Sequence, residues 1–157
     1  MNKLRLLISI CLCLFVFTQT TQARRPAYSP TSVVFVSGDN STITMRATAT
    51  GGSQQEALNN AEMNAIDVIL FRGVPESTQR MALVSSNESK ERMDNHPYFT
   101  EFYNGKRYKS FIISSNPVGG FTKLKGRQIQ TTADVKINVV NLRRDLEQAG
   151  VIRRFGF

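Results

Sequence analysis

The sequence predicts an α+β domain: a four-stranded, mainly antiparallel sheet with two main helices on one face, in the order β-β-α-β-β-α, plus short helices in a central insertion. Three observations predict it. Ser41 to Thr50 alternates, with Ile43, Met45, Ala47 and Ala49 on one side and Thr42, Thr44, Arg46 and Thr48 on the other. Gln128 to Val140 alternates in the same way, with Ile129, Thr131, Ala133, Val135, Ile137 and Val139 on one side. A period of two marks a half-buried strand. Between them, Gln54 to Arg72 carries Ala57, Leu58, Ala61, Ala65, Val68 and Ile69 on one stripe of a helical wheel. One apolar face per strand demands a covering layer, and the helices supply it.

Taken in order, Ser32 to Val36 is a β-branched run, and Ser37-Gly38-Asp39-Asn40 has turn chemistry. The two strands around that turn form a hairpin. Gly51-Gly52 breaks the second strand, and Ser53-Gln54-Gln55-Glu56 is a capping box. In it, the Ser53 hydroxyl accepts from the Glu56 amide and the Glu56 carboxylate reaches the Ser53 amide. The three alanines of the stripe imply a close approach of helix to sheet. Met63, Ile66 and Leu70 fall outside the stripe and point to a second apolar contact. Gly73 ends the helix and Pro75 prevents its continuation.

Val74 to Asn95 reads as a long, mobile excursion, with a short helix over Glu88 to Asp94. Tyr98, Phe99 and Phe102 lie at helical spacing, so a second short helix docks on the core. Asn104-Gly105 is a turn, and Lys106 to Ser114 reads as the third strand. Ser115 to Gly126, with Asn116-Pro117 and Gly119-Gly120, reads as a loop. After the fourth strand, Asn141 caps a final helix bearing Leu142 and Leu146, Gly150 ends it, and Val151 and Ile152 pack back.

The first residues carry an address. Lys3 and Arg5 precede an apolar run from Leu6 to Phe17, and Thr18 to Gln22 turns polar before Ala23. This is the layout of a secretory signal over 1–23. The run is twelve residues, against the ~20 a membrane-spanning helix needs. A flexible lead over 24–31 and one α+β domain over 32–157 follow. Cys11 and Cys13 both fall in the signal, so the exported part has no thiol for a disulfide, a metal ligand or a nucleophile. Ile10 and Leu12 stand where a lipid-acceptor cysteine needs a small residue before it, so the chain is not expected to be a lipoprotein. The location expected is periplasmic or secreted.

The chain carries +8, and removal of Lys3 and Arg5 leaves +6. The basic residues are dispersed: Arg24-Arg25, Lys106-Arg107 with Lys109, Lys123 with Lys125 and Arg127, Arg143-Arg144 and Arg153-Arg154. No group reaches the length of a basic tract, so ordinary solvated faces are expected, with at most peripheral membrane contact. Nucleic acid is excluded by the lack of a binding motif and by the compartment.

No constellation for catalysis, cofactor or metal is evident. His96 is the single histidine, stands before Pro97 and has no second ligand at metal spacing. Glu62 and Asp67 lie 140° apart on the helical wheel. Glu88, Glu91 and Asp94 share a face but alternate with Lys90 and Arg92, as solvated faces do. The residues expected to touch a partner or ligand are Tyr98, Phe99, Phe102, Tyr103, Lys106 and Arg107, because aromatic side chains interleaved with cations supply contact area. Packing under the excursion is the plainer use of the same aromatics.

The stretch from Ala47 to Pro75, ATATGGSQQEALNNAEMNAIDVILFRGVP, joins a strand ending at glycine to an alanine-rich helix of the EA…NA…NA kind. It resembles the N-terminal domain of the flagellar assembly protein T and related small outer-membrane lipoprotein domains. It is also similar to a group of small secreted proteins of Bacteroidetes. These share a helix end like Phe71-Arg72-Gly73-Val74-Pro75 and a close like Val139 to Glu147. The resemblance implies an envelope or secreted domain within a larger assembly, without catalysis. The chain departs from the lipoprotein members in its lack of an acceptor cysteine. The expected function is therefore a non-enzymatic exported domain that acts through a protein partner in the envelope or a second copy of itself, without a cofactor. A glycan- or lipid-binding module built on Tyr98 to Tyr108 is the alternative.

Overall fold

A computed structural model describes residues 32–153. The expected signal, the lead and the last four residues lie outside the described residues. The fold is α+β. Four strands, β1 (Val33–Gly38), β2 (Thr42–Gly51), β3 (Ile112–Lys123) and β4 (Ile129–Asn138), form one sheet in the order β1-β2-β4-β3. All three pairings are antiparallel. The β1–β2 hairpin is closed by Asp39, whose carboxylate accepts from the amides of Ser41 and Thr42. Those hydrogen bonds hold its pKa below the usual aspartate value.

Helix α1 (Gln54–Phe71) lies across β2 and β4. Ala57, Ala61 and Ala65 are fully buried, and Ala61 and Ala65 share one core with Ile43, Met45, Ala47 and Ala49 of β2 and Ala133, Val135 and Ile137 of β4. The small side chains let helix and sheet backbones approach closely. Gly51 belongs to the same contact: a Cβ there would sit 2.5 Å from the Ala57 nitrogen. Ser53 caps the helix by accepting from the Glu56 amide at 3.1 Å. The return arm of the capping box differs from expectation. The Glu56 carboxylate takes the Gly52 amide at 2.9 Å, one residue earlier than Ser53. At the other end Arg72 is the C-cap and Gly73 has φ +79°, a backbone state that favours glycine.

The second apolar contact of α1 is made. Ile66 and Leu70 are fully buried and join Phe99, Phe102, Tyr108 and Phe111 in the core. The covering layer is the central insertion, which holds α2 (Glu88–Asp94), α3 (His96–Tyr103) and a 3-10 turn over Arg107–Phe111. Its irregular first part is tied down: Leu83 and Val84 donate backbone hydrogen bonds to Ile69 and Leu70, and Val74 and Leu83 are buried.

Three boundaries are corrected. The third strand begins at Ile112 rather than Lys106, because Arg107 to Phe111 coils to place Tyr108 and Phe111 in the core. The expected loop from Ser115 is strand as far as Lys123. β3 is an edge strand, where Pro117 needs no ladder donor. Gly119 and Gly120, with φ of 78° and 84°, form an irregularity between Val118 and Phe121. The last helix, α4 (Val139–Gln148), is capped by Asn138, whose side chain accepts from the Asn141 amide at 2.9 Å. Asn141 itself lies inside the helix. Leu142 and Leu146 are fully buried, Gly150 has φ +73°, and Val151 and Ile152 pack against the core.

Candidate functional site

Three cations of the insertion bind carboxylates on the two flanking helices. Arg92 of α2 is the most enclosed. Its Nη2 lies 3.3 Å from both carboxylate oxygens of Asp67, and its Nε donates to Glu88 at 2.8 Å. The guanidinium carbon is 4.2 Å from the centre of the Tyr103 ring and 5.1 Å from that of Phe71. Tyr103 donates its hydroxyl to Asp67 and accepts from Arg92 at 3.1 Å. Burial pushes the Asp67 carboxyl up to about 6, against the pull of Arg92 and the Tyr103 hydrogen bond. Burial and the neighbouring Asp67 charge raise Tyr103 well above the usual phenol value, so it stays a donor.

Lys109 binds Glu62 and Asn59 of α1, each at 2.8 Å. Arg107 donates to Asp145 of α4 at 2.6 Å, and the Tyr98 hydroxyl donates to the same oxygen at 2.8 Å. Burial comes first in raising the Tyr98 pKa, with the Asp145 contact second. Glu62 and Asp67 are thus both buried, yet each faces its own cation rather than the other carboxylate. These groups act as staples: they close the insertion onto α1 and α4.

The expected contact residues divide accordingly. Phe99 and Phe102 are core residues and present no surface to a partner. Each ring packs against its neighbours, with Phe99 5.7 Å from Phe71 and Phe102 5.9 Å from Phe111. Tyr103 is occupied by Asp67 and Arg92, and Tyr98 and Arg107 by Asp145. Lys106 alone of the six is exposed. The aromatic segment therefore serves mainly to extend the main core under the insertion, rather than to form a separate one. His96 is exposed, with Thr100 3.5 Å from its ring. Among the described residues no three His, Cys, Asp or Glu side chains gather to hold a metal.

The surface with unused binding capacity is the outer edge of β1. Ser32 accepts from the Thr48 amide at 2.9 Å, so the even-numbered residues at this end turn their backbone groups toward β2. By alternation Val33 and Phe35 turn theirs outward, where no strand among the described residues pairs with them. The side chains of Val33 and Phe35 pack on the core, while Val34 and Val36 are 54% and 42% exposed. β1 is also the one strand without a charged residue. Sequence reasoning found the strand and missed the edge. The uncharged Val33-Val34-Phe35-Val36 run was the available signal.

Fold and surface together define a small α+β domain with a stapled insertion and one apolar sheet edge. No family model matches the chain, and no curated protein or solved structure does either.

Proposed function

We propose that this chain is an exported, non-enzymatic domain that works as a unit of a protein assembly, and that it joins a second copy of itself along β1. The observation that carries this reading is the outer edge of β1, unpaired among the described residues. An open edge with outward N–H and C=O groups is a template for another strand, and proteins that do not use one blunt it with charges, proline or bulges. β3 is blunted in this way by Pro117, Gly119-Gly120 and Lys123. β1 carries one irregularity, between Phe35 and Ser37, and no charge. Pairing β1 with its twofold mate brings no charged residues of that strand together, which a domain of net +6 without Lys3 and Arg5 needs in a self-contact. A part in a larger assembly is also what the resemblance of the Ala47–Pro75 stretch implies.

The test is sedimentation equilibrium of the parent and of a V34K/V36K variant. The parent is expected to form dimers that the variant does not, with equal thermal stability. A parent that stays monomeric at all concentrations, or a variant that dimerises as well as the parent, refutes the reading.

A further inference from the structure

The opposite edge of the sheet carries a different surface. The tip between β3 and β4 is Leu124 to Gln128, closed by a hydrogen bond from the Leu124 amide to the Gln128 carbonyl at 2.8 Å. The ladder ends at Ile129, which is level with Gly51 at the end of β2, so the tip extends beyond the sheet. Every residue from Asn116 to Gln128 is exposed. A Cβ added at Gly119, Gly120 or Gly126 would meet nothing within 4 Å.

The composition of this projection is one-sided. Lys123, Lys125 and Arg127 have no ion-pair partner among the described residues, in contrast to Arg92, Arg107 and Lys109. No acidic residue occurs between Ile112 and Ala133. Glu56, in the first turn of α1, is engaged with the Gly52 amide. Between and beside the cations stand Leu124 at 40% and Phe121 at 36% exposure. A shallow hollow lined by Ser53, Gln55, Leu58, Phe121 and Ile129 adjoins them.

We infer that the β3–β4 tip, through Lys123, Leu124, Lys125 and Arg127, docks on an anionic lipid surface. Charge complementarity selects an anionic partner, and the apolar side chains among the cations select one with an apolar layer beneath its charge. A bilayer offers both: cations stay at the phosphates while a leucine and a phenylalanine enter the acyl boundary. Nucleic acid satisfies only the first condition at a protruding tip, where no groove or row of stacking rings receives bases. The tip is at the far edge of the sheet from β1, so neither contact obstructs the other.

The chain has no tryptophan, which allows a local probe. An L124W variant reports on the tip alone, whatever other segment meets the vesicle. Its emission is expected to shift to the blue with vesicles of phosphatidylglycerol in phosphatidylcholine, and not with phosphatidylcholine alone. Adding K123Q, K125Q and R127Q to L124W removes three cations. At about five-fold each, vesicle affinity falls roughly 100-fold. Circular dichroism checks that these exposed substitutions leave the fold intact. No shift, an equal shift with phosphatidylcholine alone, or an unchanged affinity in the charge variant overturns the inference. A response to RNA or to an acidic peptide in place of vesicles overturns it too. The V34K/V36K variant separates the two proposals: with L124W added, its blue shift on anionic vesicles is expected to persist although the dimer is lost.

Discussion

Asp67 offers the sharpest test of how the insertion is held. The side chain is 7% exposed and has Arg92 beside it, so two opposite effects act on it. Pairing lowers a carboxyl pKa and burial raises it. Here burial wins, and the value rises from 3.8 to about 6. The folded protein then binds this proton more tightly than the unfolded chain does. Protonated Asp67 contributes stability that is full below about pH 4 and is lost as the pH rises through about 6. A shift of this size corresponds to roughly 3 kcal/mol between the two limits. For a domain of this size that is roughly 2 M in urea midpoint. Asp39 and Asp134 are held below the usual value by hydrogen bonds, so their contribution has the opposite sign and falls at the acid end of this range, as the pH drops below about 4. The measurement is therefore a difference. Urea unfolding of the parent and of D67N, followed by circular dichroism from pH 4 to pH 7, isolates the Asp67 contribution. The parent is expected to lose roughly 2.5 kcal/mol relative to D67N across that interval. A flat difference, or an Asp67 carboxyl carbon that titrates below pH 4 by NMR, would show that Arg92 outweighs burial and would refute the reasoning.

Replacement of Arg92 by Met leaves a buried carboxylate without its cation. At pH 7 the loss is expected to be about 3 kcal/mol in urea unfolding, and smaller at pH 4, where Asp67 is neutral. An A61L substitution forces a large side chain between α1 and the sheet, where Ala61 is fully buried. It is expected to lower the melting temperature by about 5–10 °C, read by differential scanning calorimetry. N138A removes the cap of α4 and costs about 1 kcal/mol in chemical denaturation, whereas N141A is close to neutral.

β2, β4 and α1 were legible in the sequence because each buries one face, and burying one face imposes a period. β3 was misread in part because its turn-forming residues sit on an edge, where proline and paired glycines cost no ladder bonds. The staples were illegible for a different reason. Asp67 finds Arg92 across 25 residues and Glu62 finds Lys109 across 47, and no periodicity encodes such distances. A trace of them was present in Met63, Ile66 and Leu70, which lie off the sheet-facing stripe and require a second cover. Once the insertion supplies that cover, the flanks that carry Glu62 and Asp67 become interior. The aromatic segment was found as a unit, and its plainer use as packing accounts for Phe99 and Phe102, which join the main core rather than a separate satellite. The open edge of β1 depends on strand order, which a list of strands does not contain.

Cysteine crosslinking in intact cells that produce the chain tests the assembly claim most directly. A V34C substitution places a thiol on the exposed face of β1, and a T132C control places one on the central strand β4. The account predicts an oxidised dimer with V34C and none with T132C. Equal crosslinking at both positions, or none at V34C, would contradict it.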